Sequence, residues 1–140
     1  MGGERSRMNR STQAKLDALR RRLQSIDDIS SAAGLLMWDQ TTYMPAKGGA
    51  ARGRQLATLE QLAHEQQIDV ELGRLLDDLQ PLVDDLPPLD ANRALIEVAR
   101  WDYDRAVCVP AAFVAEHAAL QAASSVLDEF HRPFLLHRVG

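Results

Sequence analysis

The sequence is poor in cysteine, since Cys108 is the only one among its 140 residues. This excludes an intrachain disulfide and a thiolate zinc cluster, and it suits a reducing compartment. The chain also lacks an apolar run near the ~18 residues that a membrane helix needs, and its first residues are polar rather than an apolar signal core. We therefore expect a cytoplasmic protein that is neither secreted nor inserted in a membrane.

Motifs for catalysis are also missing, including a glycine-rich phosphate loop and a G-x-S-x-G elbow. His64 and Glu65 begin an H-E-x-x-H pattern, in which two histidines on one helix face bind zinc, but the fifth position is Ile68. One imidazole cannot reproduce that site, so we interpret His64 as a boundary or hydrogen-bonding histidine. The remaining histidines have no histidine partner at a spacing of three or four: His117, His131 and His137. We expect no catalytic residue and no metal site in this chain.

Charge gives little sign of a nucleic-acid partner, because the formal net charge is −4. The early basic residues share a helical segment with acidic ones, which favours a solvated helix face over a phosphate-binding patch. These basic residues are Arg5, Arg7, Arg10, Lys15 and Arg20 to Arg22. Adjacent carboxylates point in different directions on a helix, so we interpret the acidic pairs as solvated surface. These pairs are Asp27-Asp28, Asp77-Asp78 and Asp84-Asp85.

What the sequence does contain is helical periodicity. Apolar residues recur every three or four positions and form one helix stripe: Leu16, Leu19, Leu23, Ile26, Ile29, Ala33 and Leu36. The pattern predicts a helix over 11–37, followed by a structured loop over 38–49 that contains Met44-Pro45 and Gly48-Gly49. There is no alternating strand pattern, so we predict an all-α fold of about five helices in an antiparallel assembly.

Four further helices are predicted from the same spacing. The second covers 50–67 and carries Leu56, Leu59, Leu62 and Ala63; the third carries Ile68, Leu72, Leu75, Leu76 and Leu79 and stops before Pro81. Pro87-Pro88 predicts a linker, because neither proline fits inside a helix. Asp90 is the predicted cap of a fourth helix, in which Leu95, Val98 and Ala99 share a face, and Pro110 precedes a fifth that carries Phe113, Val114, His117, Leu120, Ala123 and Leu127. We expect a flexible N-terminus over 1–10, a helical region over 11–129 and a divergent tail over 130–140.

Two short strings are more distinctive than the periodicity. The first is Trp38-Asp39-Gln40-Thr41-Thr42-Tyr43-Met44-Pro45, and the second is Asp102-Tyr103-Asp104-Arg105-Ala106, which leads to Val109-Pro110. In the second string Asp102 is placed to pair with Arg105 or with a neighbouring helix, and we favour a structural ion pair over catalysis. Cys108 has no nearby histidine to activate it, which favours a small buried hydrophobe.

These strings, together with the segments 29–37 and 51–65, resemble the amino-terminal region of the Taq-type metallocarboxypeptidases over about residues 16–120. The resemblance implies a helical cap of a groove-type metallopeptidase, whose early helices wall or cover the substrate groove. It also implies structural roles at the helix-to-loop corner and in the second string, for Trp38, Asp39, Gln40, Met44, Pro45, Asp102, Tyr103, Asp104 and Arg105. After Ala123 the resemblance ends.

The family's zinc is held by an H-E-x-x-H and a downstream glutamate, and its reaction is the hydrolytic release of C-terminal amino acids from peptides. Nothing in this sequence matches those ligands. Our leading hypothesis is therefore a truncated relative that is inactive alone, whose partner is the missing catalytic portion or a second copy in a homodimer. A peptide substrate belongs only to the full-length family. The alternatives are an independent helical module that binds a protein partner, and a small enzyme whose site forms only in three dimensions.

Overall fold

The computed structural model describes residues 9–42, 48–110, 112–114, 116–117 and 120, which form an all-α structure. Four helices occupy these residues: α1 (Arg10–Thr42), α2 (Gly49–Gln67), α3 (Val70–Asp85) and α4 (Ala91–Val107). No strand occurs within this described part, so the predicted all-α class is confirmed. Of the predicted fifth helix, 112–114, 116–117 and 120 are helical and the other positions lie outside the described residues. Most of the expected flexible terminus, Met44, Pro45, His131, His137 and the tail 130–140 also lie outside them.

The first helix is longer than predicted, because it continues through Trp38 and ends at Thr42. The prediction of a loop beginning at Trp38 is therefore wrong. Thr42 Oγ1 donates a hydrogen bond to the Trp38 carbonyl at 2.9 Å, one turn earlier in the same helix. The helix therefore includes the first five of the eight residues of the distinctive string that begins at Trp38.

The third helix also passes the point where it was predicted to stop, since Pro81 lies inside α3. Proline in a helix interior removes one backbone hydrogen bond and costs about 3 kcal/mol. Beyond it, Val83 is buried and Leu82 packs on the core, and burying such side chains stabilises by roughly 1.5–3 kcal/mol each. Burial of these side chains in the last turn offsets the free-energy cost of Pro81. The helix therefore ends only at Asp85, before the predicted Pro87-Pro88 linker.

Aspartates cap the helices of this region. The predicted cap Asp90 is confirmed, because its carboxylate accepts from the backbone N–H groups of Asn92 at 2.7 Å and Arg93 at 3.4 Å. Asp69 caps α3 in the same way by accepting from the Glu71 N–H at 3.0 Å, and this cap was not predicted. Each cap satisfies N–H groups in the first helical turn, where they have no carbonyl partner.

The chain divides into two compact units, and α1 contributes to both. The first unit takes its residues from Met1–Ile26 and Gln66–Cys108, and the second takes them from Asp27–Glu65 and Val109–Gly140. The core of the first unit consists of Leu16, Leu19, Ile26, Leu72, Leu76, Leu79, Val83, Ile96 and Ala99. In the second unit the buried residues of the described part are Ala33, Gly49, Gly53, Leu56 and Ala63.

Inter-helix contacts within the first unit give the helix directions. Lys15 pairs with Asp78 and Arg22 with Asp69, so α1 and α3 run antiparallel. Arg100 pairs with Asp77, and Tyr103 lies against Gly73, so α3 and α4 are antiparallel as well. The predicted antiparallel arrangement is confirmed here. Of the three residues predicted to share a face of α4, Ala99 is buried and Leu95 packs on the core, whereas Val98 is exposed, because the core-facing stripe is formed by Ile96, Ala99, Tyr103 and Ala106.

Candidate functional site

In the second unit, Asp39 of the first distinctive string joins two helices. Asp39, in the last turns of α1, accepts from Arg52 in the first turn of α2, with 2.5 Å between Asp39 Oδ2 and Arg52 Nη2. Arg52 is only 23% exposed and also reaches Gln55 Oε1 at 3.5 Å. A partly buried guanidinium with a carboxylate partner keeps a defined position better than an exposed pair. This pair fixes the end of α1 against the start of α2.

Two other residues of the first distinctive string also lie in α1. Trp38 is helical and 60% exposed, and Gln40 is helical as well. Near this corner, a shallow groove of about 550 Å³ is lined by Leu36 of α1 and by Ala51, Arg54, Gln55, Thr58 and Leu59 of α2. The lining is mostly apolar, and Arg54 is its one cationic side chain. Such a surface offers packing area and one charge but no acid–base pair.

The second distinctive string, residues 102–106 of α4, has side chains that face the core and others that face the solvent. Tyr103 turns inward and packs on the core of the first unit, with its ring against Gly73. A Cβ at Gly73 would lie 2.7 Å from Tyr103 Cζ, so a larger residue at position 73 would force the phenol ring or the helices to shift. Asp104 and Asp102 are exposed, and Asp104 Oδ1 is 4.0 Å from Arg100 Nη1. The string therefore carries one packing residue and two surface carboxylates.

Arg105 does not pair with Asp102 as expected. Its Cζ lies 4.3 Å from the centroid of the Trp101 ring, one helical turn earlier. A guanidinium over an indole face is a favourable cation–π arrangement. The structural ion pair expected for Asp102, with Arg105 or with a neighbouring helix, is not found among the described residues, and the Arg105 guanidinium lies over the indole face one turn back instead.

Among the early basic residues, Arg20 and Arg22 make contacts between or along helices. Arg20 donates to Asp17 at 2.9 Å and to Asn92 of α4 at 2.5 Å, while Arg22 donates to Asp69 at 2.5 Å. The backbone N–H of Glu71, followed by the Arg22 guanidinium, lowers the pKa of Asp69 below its ordinary value. These guanidiniums are engaged with side chains of the first unit.

The histidines and the cysteine are scattered. His64, interpreted above as a boundary or hydrogen-bonding histidine, is half-buried, and its Nε2 has no hydrogen-bond partner among the described residues. His117 stacks on Phe113 with 6.3 Å between ring centroids. Cys108 was expected to be a buried hydrophobe, but it is exposed because it forms the C-cap of α4, beyond the last core-facing position.

Taken together, the described residues form a helical scaffold whose polar side chains join helices. The sequence matches a family described as the Carboxypeptidase Taq (M32) metallopeptidases over residues 18–127, and the chain belongs to this family. The match extends past Ala123, so the expectation that the resemblance ends there is wrong.

One relative shows how much of a family member this chain spans. The chain is 34% identical over 109 residues to thermostable carboxypeptidase 1 of Thermus thermophilus. The aligned part is 75% of this chain and 21% of that protein, so the chain spans about a fifth of the relative's length. No solved structure matches the chain significantly.

Membership in a metallopeptidase family implies a metal ion, so the donors of this chain can be tested for fit. Within the described ranges, no group of three or more His, Cys, Asp or Glu side chains is arranged to hold a metal. His64 has Glu65 beside it but no second histidine one turn later. These residues do not fit a metal centre, and no hydrolytic step is assigned to them. None of the helices in this part of the chain is long and apolar enough to cross a membrane.

Proposed function

We propose that this chain is a structural segment of an M32 metallocarboxypeptidase, a truncated form that helps to shape the peptide groove but does not carry the hydrolytic centre. One observation carries the proposal: the part of this chain that aligns with the Thermus carboxypeptidase covers 21% of that protein. The sequence agrees with it, since the single His-Glu pair in the chain is followed by Ile68 where a second histidine would stand. Hydrolysis of the last peptide bond needs an activated water, and a metal with a general base supplies it. Without those groups the chain is inactive alone.

In this proposal the metal is zinc and is bound by other parts of the full-length family. The residues of this chain contribute by fixing the geometry of the groove. The Asp39–Arg52 pair sets the corner between α1 and α2, and the groove beside Leu36 gives an apolar wall. A wall that keeps its geometry holds a peptide end near a catalytic group, which reduces the entropy lost on reaching the transition state.

The first part of the test is an assay of the 140-residue chain by itself. The chain is supplied with zinc and an N-blocked dipeptide, and free C-terminal amino acid is measured with and without a chelator. We expect no release above the buffer rate and no stoichiometric zinc. Release that a chelator abolishes would refute the claim that the hydrolytic centre is absent.

The second part tests the structural role. The Thermus relative is expressed without the segment that aligns with this chain, and activity is measured after adding either its own segment or the present chain. We expect both segments to restore peptide release, the native one more strongly. If the native segment restores activity and this chain does not, the structural role is wrong.

A second candidate function is an independent helical module that binds a protein partner, either the catalytic portion on a separate chain or a second copy. Leu35 and Trp38 favour it, because both are large apolar side chains left exposed in the second unit. Its natural setting is the cytoplasm, where the exposed thiol of Cys108 stays reduced. A stable, metal-free protein that binds a partner without affecting peptide release would favour this candidate.

A further inference from the structure

We draw no further inference here: the strongest candidate, the shallow apolar groove of the second unit beside Leu36 of α1 and Leu59 of α2, belongs to the surface already described as a wall of the peptide groove, and nothing in the described part of the structure shows what covers it.

Discussion

The tight approach between Gly73 and Tyr103 gives the sharpest test of the packing. Replacing Gly73 with alanine has two opposing effects on the free energy of unfolding. Alanine is the better helix former by about 1 kcal/mol in a helix interior such as α3. The new Cβ, however, would lie 2.7 Å from Tyr103 Cζ and closer still to Tyr103 Oη, and overpacking of this kind costs about 1–3 kcal/mol. We expect a net loss of about 1 kcal/mol.

The sign of this effect should depend on Tyr103. Without the phenol ring only the helix-propensity gain remains, so Gly73→Ala in a Tyr103→Ala background should stabilise by about 1 kcal/mol. Urea unfolding followed by far-ultraviolet circular dichroism measures both backgrounds. Gly34 provides the control, because a Cβ there meets nothing within 4 Å and Gly34→Ala should stabilise in either background. If Gly73→Ala stabilises the chain that retains Tyr103, the packing argument is refuted.

Three further predictions concern stability. Leu76→Ala, at a fully buried core position, should cost about 2–5 kcal/mol, while Leu89→Ala should change stability by less than about 0.5 kcal/mol; thermal unfolding that shows equal losses would contradict this core. Because the pKa of Asp69 is lowered in the folded chain, its charge contributes stability above the ordinary value near 3.8, which is lost as pH falls through the lower folded pKa. Asp69→Asn should therefore flatten the acid limb of a plot of unfolding free energy against pH, and an unchanged limb would contradict the assignment. Arg52→Gln should cost about 0.2–1 kcal/mol, and a double-mutant cycle with Asp39→Asn should recover a coupling of that size; additive losses would show that the pair contributes nothing.

Much of the fold could be predicted from the sequence, because it follows from spacing. The apolar stripe of α1 was predicted, and Leu16, Leu19, Ile26 and Ala33 are buried. The cap at Asp90 also followed from a local rule, since a carboxylate before an apolar periodic run satisfies N–H groups of the first turn. The same rule would have found Asp69, which comes shortly before Leu72.

The errors came from places where tertiary packing overrides a local preference. Pro81 predicts a helix end, but burial of Val83 extends α3 past it. Val98 has the right residue type for the core, yet the face of α4 that meets the core is set by Ile96 and Ala99. Likewise, the glycine at position 73 is only a weak helix former in the sequence, and its role becomes clear once Tyr103 is found against it.

The sequence predicted less about the candidate site than about the core. The strings around Asp39 and Tyr103 identified a family, whereas their roles depend on neighbours far along the chain: Arg52 for the first and Gly73 for the second. A resemblance to a family identifies positions, but it does not show which residues they contact. The contacts in the structure show what each side chain does.

The ion pairs of the aspartates bear on the chemistry that these residues could perform. Hydrolysis needs a carboxylate or imidazole that is free to exchange a proton with water beside a bound substrate. In the first unit, Asp17, Asp69, Asp77 and Asp78 each hold a cationic side chain of their own or a neighbouring helix. In the second unit, Asp39 does the same for Arg52. Of these carboxylates, Asp69 has a lowered pKa, because the Glu71 N–H and the Arg22 guanidinium favour its ionised form, and this makes it a poorer proton acceptor. The ion pairs of the other four aspartates hold positions within or between helices, which is a structural use of charge.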